Sequence, residues 1–281
     1  TYEEMIDVAH DMGLECVEVA CWPSGKAERR YAGVSHIDVD NLSPEYLDHV
    51  VRYAEGRGVH ISSLAFYPNT MDADLEKRAA NIAHLHKVIE ASHALGVDMV
   101  TTFIGRDSSK TVEANLGLVR QIWPPILEHA RSLGVRIAIE NCPMLFDQTQ
   151  WPGGQNLMTT PVIWKQVFDI LPYDNLGINY DPSHFVWQMI DYIQPLYEFR
   201  DRIFHVHAKD VRIDQNNTRL NGVLDTKSYA DEIKGFESIG SGCGNFPNPK
   251  LNAEDNAPVP VLIDDKCDGK VLNPNDHPLN K

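Results

Sequence analysis

Four times in the N-terminal half of this chain, a helical pattern stops at a glycine and an apolar run begins at once. The glycines are Gly13, Gly58, Gly96 and Gly134, with a period of about 40 residues. A glycine just past a helix takes the left-handed conformation without a Cβ penalty, so it marks a helix end. The runs that follow are short and rich in β-branched residues, which is the mark of a strand. Strands separated by helices cannot pair as hairpins. They pair in parallel through crossover connections, so the repeat predicts an α/β fold with a parallel sheet.

Taken in order, the elements follow from local chemistry. Thr1 and Glu4 form a Thr-x-x-Glu capping box ahead of Met5, Val8, Ala9 and Met12, which recur at helical spacing. Leu14 to Trp22 reads as a strand, and a charged loop runs from Pro23 to Asn41. Ser43-Pro44-Glu45 opens a helix to about Arg57, and Val59 to Tyr67 is the next strand. A helix over Asp74 to Leu95, a strand over Asp98 to Gly105 and a helix over Glu113 to Leu133 follow. Pro124-Pro125 is expected to kink or split the last of these, because proline cannot donate to the helical ladder. The runs ending in Glu140, Asp181 and His207 continue the series, and Val259 to Asp264 reads as a final strand. That makes seven strands. A closed (β/α)8 TIM barrel needs one more, and its expected place is ahead of Thr1. The length suits one such domain over residues 1–281.

In a barrel the C-terminal ends of the strands carry the active site. Trp22, Tyr67, Glu140, Asp181, His207 and Lys209 all fall at or just past such ends. An open doubly wound sheet would also gather strand-end residues, but no GxGxxG follows any strand, so the barrel is preferred. In Ile203-Phe204-His205-Val206-His207-Ala208-Lys209-Asp210 the two histidines and the lysine share one face of a strand. Burying them requires an anion or a metal nearby. His205 also fits a hydrogen-bonded packing role, Lys209-Asp210 a structural ion pair, and Asp181 before Pro182 a turn. His84, His86 and His93 read as a solvated helix face.

Composition excludes several classes. The formal net charge of -15 opposes binding to nucleic acid or anionic membranes, which needs a basic surface. The 5 cysteines are odd in number and form no CxxC pair, which fits reduced thiols in the cytoplasm. No run approaches the roughly 20 apolar residues of a membrane-spanning helix.

Ile139-Glu140-Asn141, Tyr180-Asp181-Pro182-Ser183-His184 and His205-Val206-His207-Ala208-Lys209-Asp210, in this order, resemble the xylose-isomerase-like TIM-barrel family of sugar phosphate isomerases and epimerases. The resemblance covers about Thr1 to Thr226. It implies one divalent metal held by Glu, Asp, His and a final acid from successive strands. Glu140, Asp181 and His207 match the first three. Asp264 is the fourth candidate, although strand alternation favours its neighbour Asp265. Three oxygens and one imidazole suit Mn²⁺ first, with Mg²⁺, Co²⁺ and Zn²⁺ as alternatives. The resemblance also implies Glu140 as base, with Asp264 as the opposing acid/base. Lys209 would hold an oxyanion or phosphate, His184 a hydroxyl, and Trp22 and Tyr67 would wall a sugar. The expected activity is isomerisation or epimerisation of a free or phosphorylated sugar or a related keto-polyol. The rivals are a lyase sharing the same proton abstraction, phosphodiester cleavage on damaged DNA, and a non-catalytic sugar- or partner-binding barrel. Pairing into a homo-oligomer is a further expectation.

Overall fold

The structure, a computed structural model, describes residues 1–24, 35–144, 154–209, 211 and 218–220. Helix α1 (Tyr2–Asp11) leads to β1 (Cys16–Ala20), then α2 (Pro44–Glu55), β2 (His60–Ala65), α3 (Leu75–Ala94), β3 (Met99–Thr102) and α4 (Val112–Ser132). The chain continues with β4 (Arg136–Glu140), α5 (Pro161–Ile170), β5 (Leu176–Tyr180), α6 (Pro182–Trp187), α7 (Gln194–Glu198) and β6 (Ile203–Val206).

The four glycines do what the sequence requires of them. Each has a positive φ: 72° at Gly13, 67° at Gly58, 71° at Gly96 and 71° at Gly134. Beyond each, the next amide donates back five residues: Leu14 to Ala9, Val59 to Ala54, Val97 to Ser92 and Val135 to Ala130. This is the Schellman closure, which satisfies the last helical carbonyls and turns the chain toward the sheet. At the other helix ends, the capping box of Thr1 with Glu4 forms, and Ser43, Asp74 and Thr111 each cap the helix that follows them.

All strand pairs are parallel, and the order is β1-β2-β3-β4-β5-β6. A doubly wound sheet would reverse direction at a switch point, and this one never does. The sheet is also curled. In a flat sheet β2 and β6, four spacings apart, would lie about 19 Å from each other. Instead Ser62 Oγ of β2 sits 3.0 Å from His205 Nε2 of β6. The described strands therefore form a half-barrel. Its inner face gathers side chains from distant strands, and its outer face packs on the helices. Strand β5, between β4 and β6, is buried along its whole length, as a sheet covered on both faces should be.

Two expectations are corrected. Pro124 and Pro125 do not split their helix, because both lie inside a single α4. The carbonyls they leave without a ladder partner belong to Arg120 and Gln121, which are exposed and open to water, while Trp123, Ile126 and Leu127 anchor the same turn in the core. His84 is not on a solvated face: it is buried, and its Nε2 lies 2.8 Å from the Cys21 carbonyl. That carbonyl follows the end of β1, where the ladder no longer supplies a partner, so a helix side chain does. The expected strand at Val259 to Asp264, and with it Asp264, lies outside the described residues, as does most of the Pro23 to Asn41 loop. No helix among the described residues is long and apolar enough to cross a membrane.

Candidate active site

Two short sequence segments place the central carboxylates. Glu140 ends β4, and Asn141 after it forms a reciprocal clasp with β5. Its Nδ2 donates to the Asp181 carbonyl at 2.8 Å, and its Oδ1 accepts from the Asp181 amide at 2.7 Å. The ends of the two strands are thereby held in register. Asn156 steadies the other side by donating to the carbonyls of Glu140 and Cys142. Asp181 caps α6, with Oδ1 accepting from the Ser183 amide at 2.9 Å and its hydroxyl at 2.5 Å. That leaves Oδ2 aimed at the interior.

Glu140 and Asp181 are 4% and 0% exposed, so each needs a cation. Lys209 supplies it, with Nζ 3.0 Å from Glu140 Oε1 and 2.9 Å from Asp181 Oδ2. His207 Nδ1 donates to the same Glu140 oxygen at 2.9 Å. Burial alone would raise the Glu140 pKa, but Lys209 and His207 hold it well below the usual carboxylate range. Burial would lower the Lys209 pKa, but Glu140 and Asp181 raise it. The hydrogen bonds from Lys209 and His207 to Glu140 both fall on Oε1. His184 Nε2 lies 3.3 Å from Asp181 Oδ2 and 3.7 Å from Glu140 Oε1. Trp187 donates its indole N–H to His184 Nδ1 at 3.4 Å. An indole can only donate, so Nδ1 is the accepting nitrogen and the ring proton sits on Nε2, facing the carboxylates.

The residue the strand-end pattern missed is Glu18, in the middle of β1. Both its oxygens lie 3.1 Å from His207 Nε2. Tyr67 donates to its Oε1 at 2.7 Å and Ser63 to its Oε2 at 3.2 Å. Burial would raise the Glu18 pKa, but His207 and Tyr67 bring it below the usual range. Burial would lower that of His207, but Glu140 and Glu18 together lift it to about 10. His205 is pinned between Ser62 and Asn179 Oδ1 at 3.0 Å each, and burial lowers its pKa. That agrees with its packing role. Tyr67 is a site residue, packed against Phe103 and bonded to Glu18, and burial with the charges of Glu18 and Glu140 raises its phenol well above the ordinary value. Trp22 lies at the rim and packs edge-on against Phe66, with ring centroids 5.0 Å apart. Of the expected site residues, Glu140, Asp181, His207, His184, Lys209 and Tyr67 converge.

The donor set fits a divalent cation. Ligand atoms of Glu140, Asp181 and His184 lie within 4.8 Å of one another, as do those of Glu18, His205 and His207. The Lys209 ammonium already bridges the two buried carboxylates, so a positive charge at that place is what they require. The proton on His184 Nε2 leaves it a hydrogen-bond donor there, while His207 reaches Glu140 Oε1 through Nδ1.

The sequence profile of the xylose isomerase-like TIM barrel family matches residues 6–254. The chain belongs to this family. Protein YfiH of Bacillus subtilis strain 168, described as uncharacterized, is 25% identical, with 86% of this chain and 80% of YfiH covered. Two solved structures share the fold at lower identity. The probable 3-DHS dehydratase AsbF from Bacillus anthracis superposes with a TM-score of 0.55 at 17% identity, covering 78% of this chain and 73% of its own. The 3-keto-D-glucoside 4-epimerase YcjR from E. coli does so with a TM-score of 0.55 at 16% identity, covering 73% of each.

Proposed function

We propose that this family member is a metal-dependent isomerase or epimerase that moves a proton α to the carbonyl of a sugar, a sugar phosphate or a related keto-polyol. The observation that carries the reading is the fixed, buried carboxylate of Glu140. Lys209 and His207 both hold its Oε1, and the residue is 4% exposed. A carboxylate held rigidly through one oxygen is built to take a proton at a fixed point.

Glu140, Asp181 and His207 are the residues we assign to the ion, with Asp264 as the fourth ligand and opposing acid/base. An oxygen-rich set with one imidazole suits Mn²⁺. When bound, such an ion polarises a substrate carbonyl and acidifies the neighbouring C–H. The chain does the rest. Glu140 Oε2 removes the proton. Lys209, adjacent to Glu140, offsets negative charge as it develops on the substrate oxygen. His184 presents Nε2–H to a substrate hydroxyl, and Tyr67 with Phe103 forms the apolar wall. A closed barrel is the architecture we assign to the domain.

The fold relatives include a dehydratase as well as an epimerase. A lyase would share the first proton abstraction and then expel a β-substituent. Incubation of the Mn²⁺-loaded protein with ketose sugars in D₂O tests both. The expected result is deuterium at the carbon α to the carbonyl, at least about 100-fold slower in Glu140→Gln. A deuterated product that has lost water would select the lyase, and an unchanged exchange rate in Glu140→Gln would remove Glu140 as base.

A further inference from the structure

We propose that Glu18 is a positioning residue for His207. It accepts the ring proton on Nε2 and so commits Nδ1 to the metal. The inference rests on the assignment of His207 as a ligand and adds the reason this histidine can serve as one.

A neutral imidazole has one accepting nitrogen and one N–H, and the partner of one nitrogen decides the state of the other. The two sides of the His207 ring meet different surroundings. Nδ1 faces Glu140 at 2.9 Å, beside Lys209 and the Asp181 carboxylate. Nε2 faces the Glu18 carboxylate, with both oxygens at 3.1 Å. Asn179 Nδ2, which donates to the Tyr67 hydroxyl, sits 3.0 Å from the same nitrogen, and since an amide nitrogen cannot accept, the proton on Nε2 has the Glu18 carboxylate as its acceptor. Once an ion takes the Nδ1 lone pair, the remaining proton lies on Nε2 and donates to Glu18.

Glu18 is itself held rigidly. Tyr67 donates to one oxygen and Ser63 to the other, and its side chain is 18% exposed. Neither partner is charged, so without His207 a half-buried carboxylate would sit mid-strand with little to offset its desolvation. The carboxylate also raises the basicity of the imidazole, which strengthens it as a ligand. His184 makes the converse case. Its Nδ1 accepts from Trp187, so its proton points inward and it stays a donor. Two histidines on one pocket are thus held in opposite tautomers by an acid behind one and an indole behind the other.

The test is calorimetric titration of Mn²⁺ into metal-free wild type, Glu18→Gln, Glu18→Ala and His207→Ala, with ¹⁵N NMR of the histidine side chains in the Zn²⁺-loaded forms. Glu18→Gln keeps size and an acceptor but no charge, and should weaken Mn²⁺ binding about 10-fold; Glu18→Ala should weaken it about 100-fold. In Zn²⁺-loaded wild type the His207 Nε2 should carry the proton, and that signal should shift in Glu18→Gln while the His184 signals stay put. A generally damaged fold would move both. If Glu18→Ala fails to fold, the isosteric Glu18→Gln still decides. Loss of metal in His207→Ala together with unchanged affinity and spectrum in Glu18→Gln would overturn the role of Glu18 alone. Wild-type affinity in His207→Ala would overturn the ligand assignment and Glu18's role with it.

Discussion

The pocket holds two clusters of the same residue types in opposite electrostatic states. Glu140, Asp181 and His184 are buried, and a lysine ammonium lies between the carboxylates. Glu18, His205 and His207 are only partly buried, and neutral groups from Ser62, Ser63, Tyr67 and Asn179 surround them. The first cluster concentrates negative charge and needs a cation. The second is saturated with hydrogen bonds and needs nothing more. The first has two carboxylates and one imidazole, the second one carboxylate and two imidazoles, and what decides is which lone pairs remain free after the neighbours have taken theirs. His207 belongs to both, with one ring nitrogen in each.

The comparison breaks most sharply at Asp181. Asp181→Ala removes one of the two carboxylates that call for a cation, and Mn²⁺ affinity should fall by more than about 100-fold, along with turnover. Retained metal content, measured by elemental analysis after dialysis, would move the site to the Glu18 cluster. His184→Ala is a finer cut. Because its proton faces inward, its loss should leave Mn²⁺ affinity within about threefold of wild type while turnover drops by about 100-fold. Loss of metal instead would make His184 a ligand. The smallest effect concerns pH. In the metal-free protein the His207 pKa lies at about 10, so at pH 7 the ring is charged. An ion that binds Nδ1 must displace one proton, and affinity should rise about tenfold per pH unit from pH 7 toward 10, then level off. Titrations in two buffers of different ionisation enthalpy would show one proton released at pH 7. No release would mean that His207 stays an imidazolium outside the coordination shell.

Much of this was legible in the chain. Gly13, Gly58, Gly96 and Gly134 announced the αβ repeat because left-handed backbone leaves few other residue choices. Glu140, Asp181, His207 and Lys209 were legible because they sit where strands end, which is where a parallel half-barrel exposes side chains to its interior, and His184 follows Asp181 in the first turn of α6. Glu18 was not. It stands between Val17 and Val19, inside a strand, and only the curling that brings β1 opposite β6 gives it a partner. Its one signal was an acid on an apolar strand, a place where carboxylates are costly. His84 was missed for a similar reason, since helical periodicity cannot show that a carbonyl just past β1 lacks a donor. The double proline does not split α4 because its cost depends on whether the freed carbonyls meet water, and here they do.

Lys209 has a consequence for how the molecule is made. With its ammonium between Glu140 and Asp181 and an imidazolium beside them, the pocket carries its own counter-charges before any ion arrives. Like charges that would otherwise drive the strand ends apart are already matched. The fold of these strand ends therefore needs no ion to neutralise it, in contrast to small zinc domains whose folding waits for the metal.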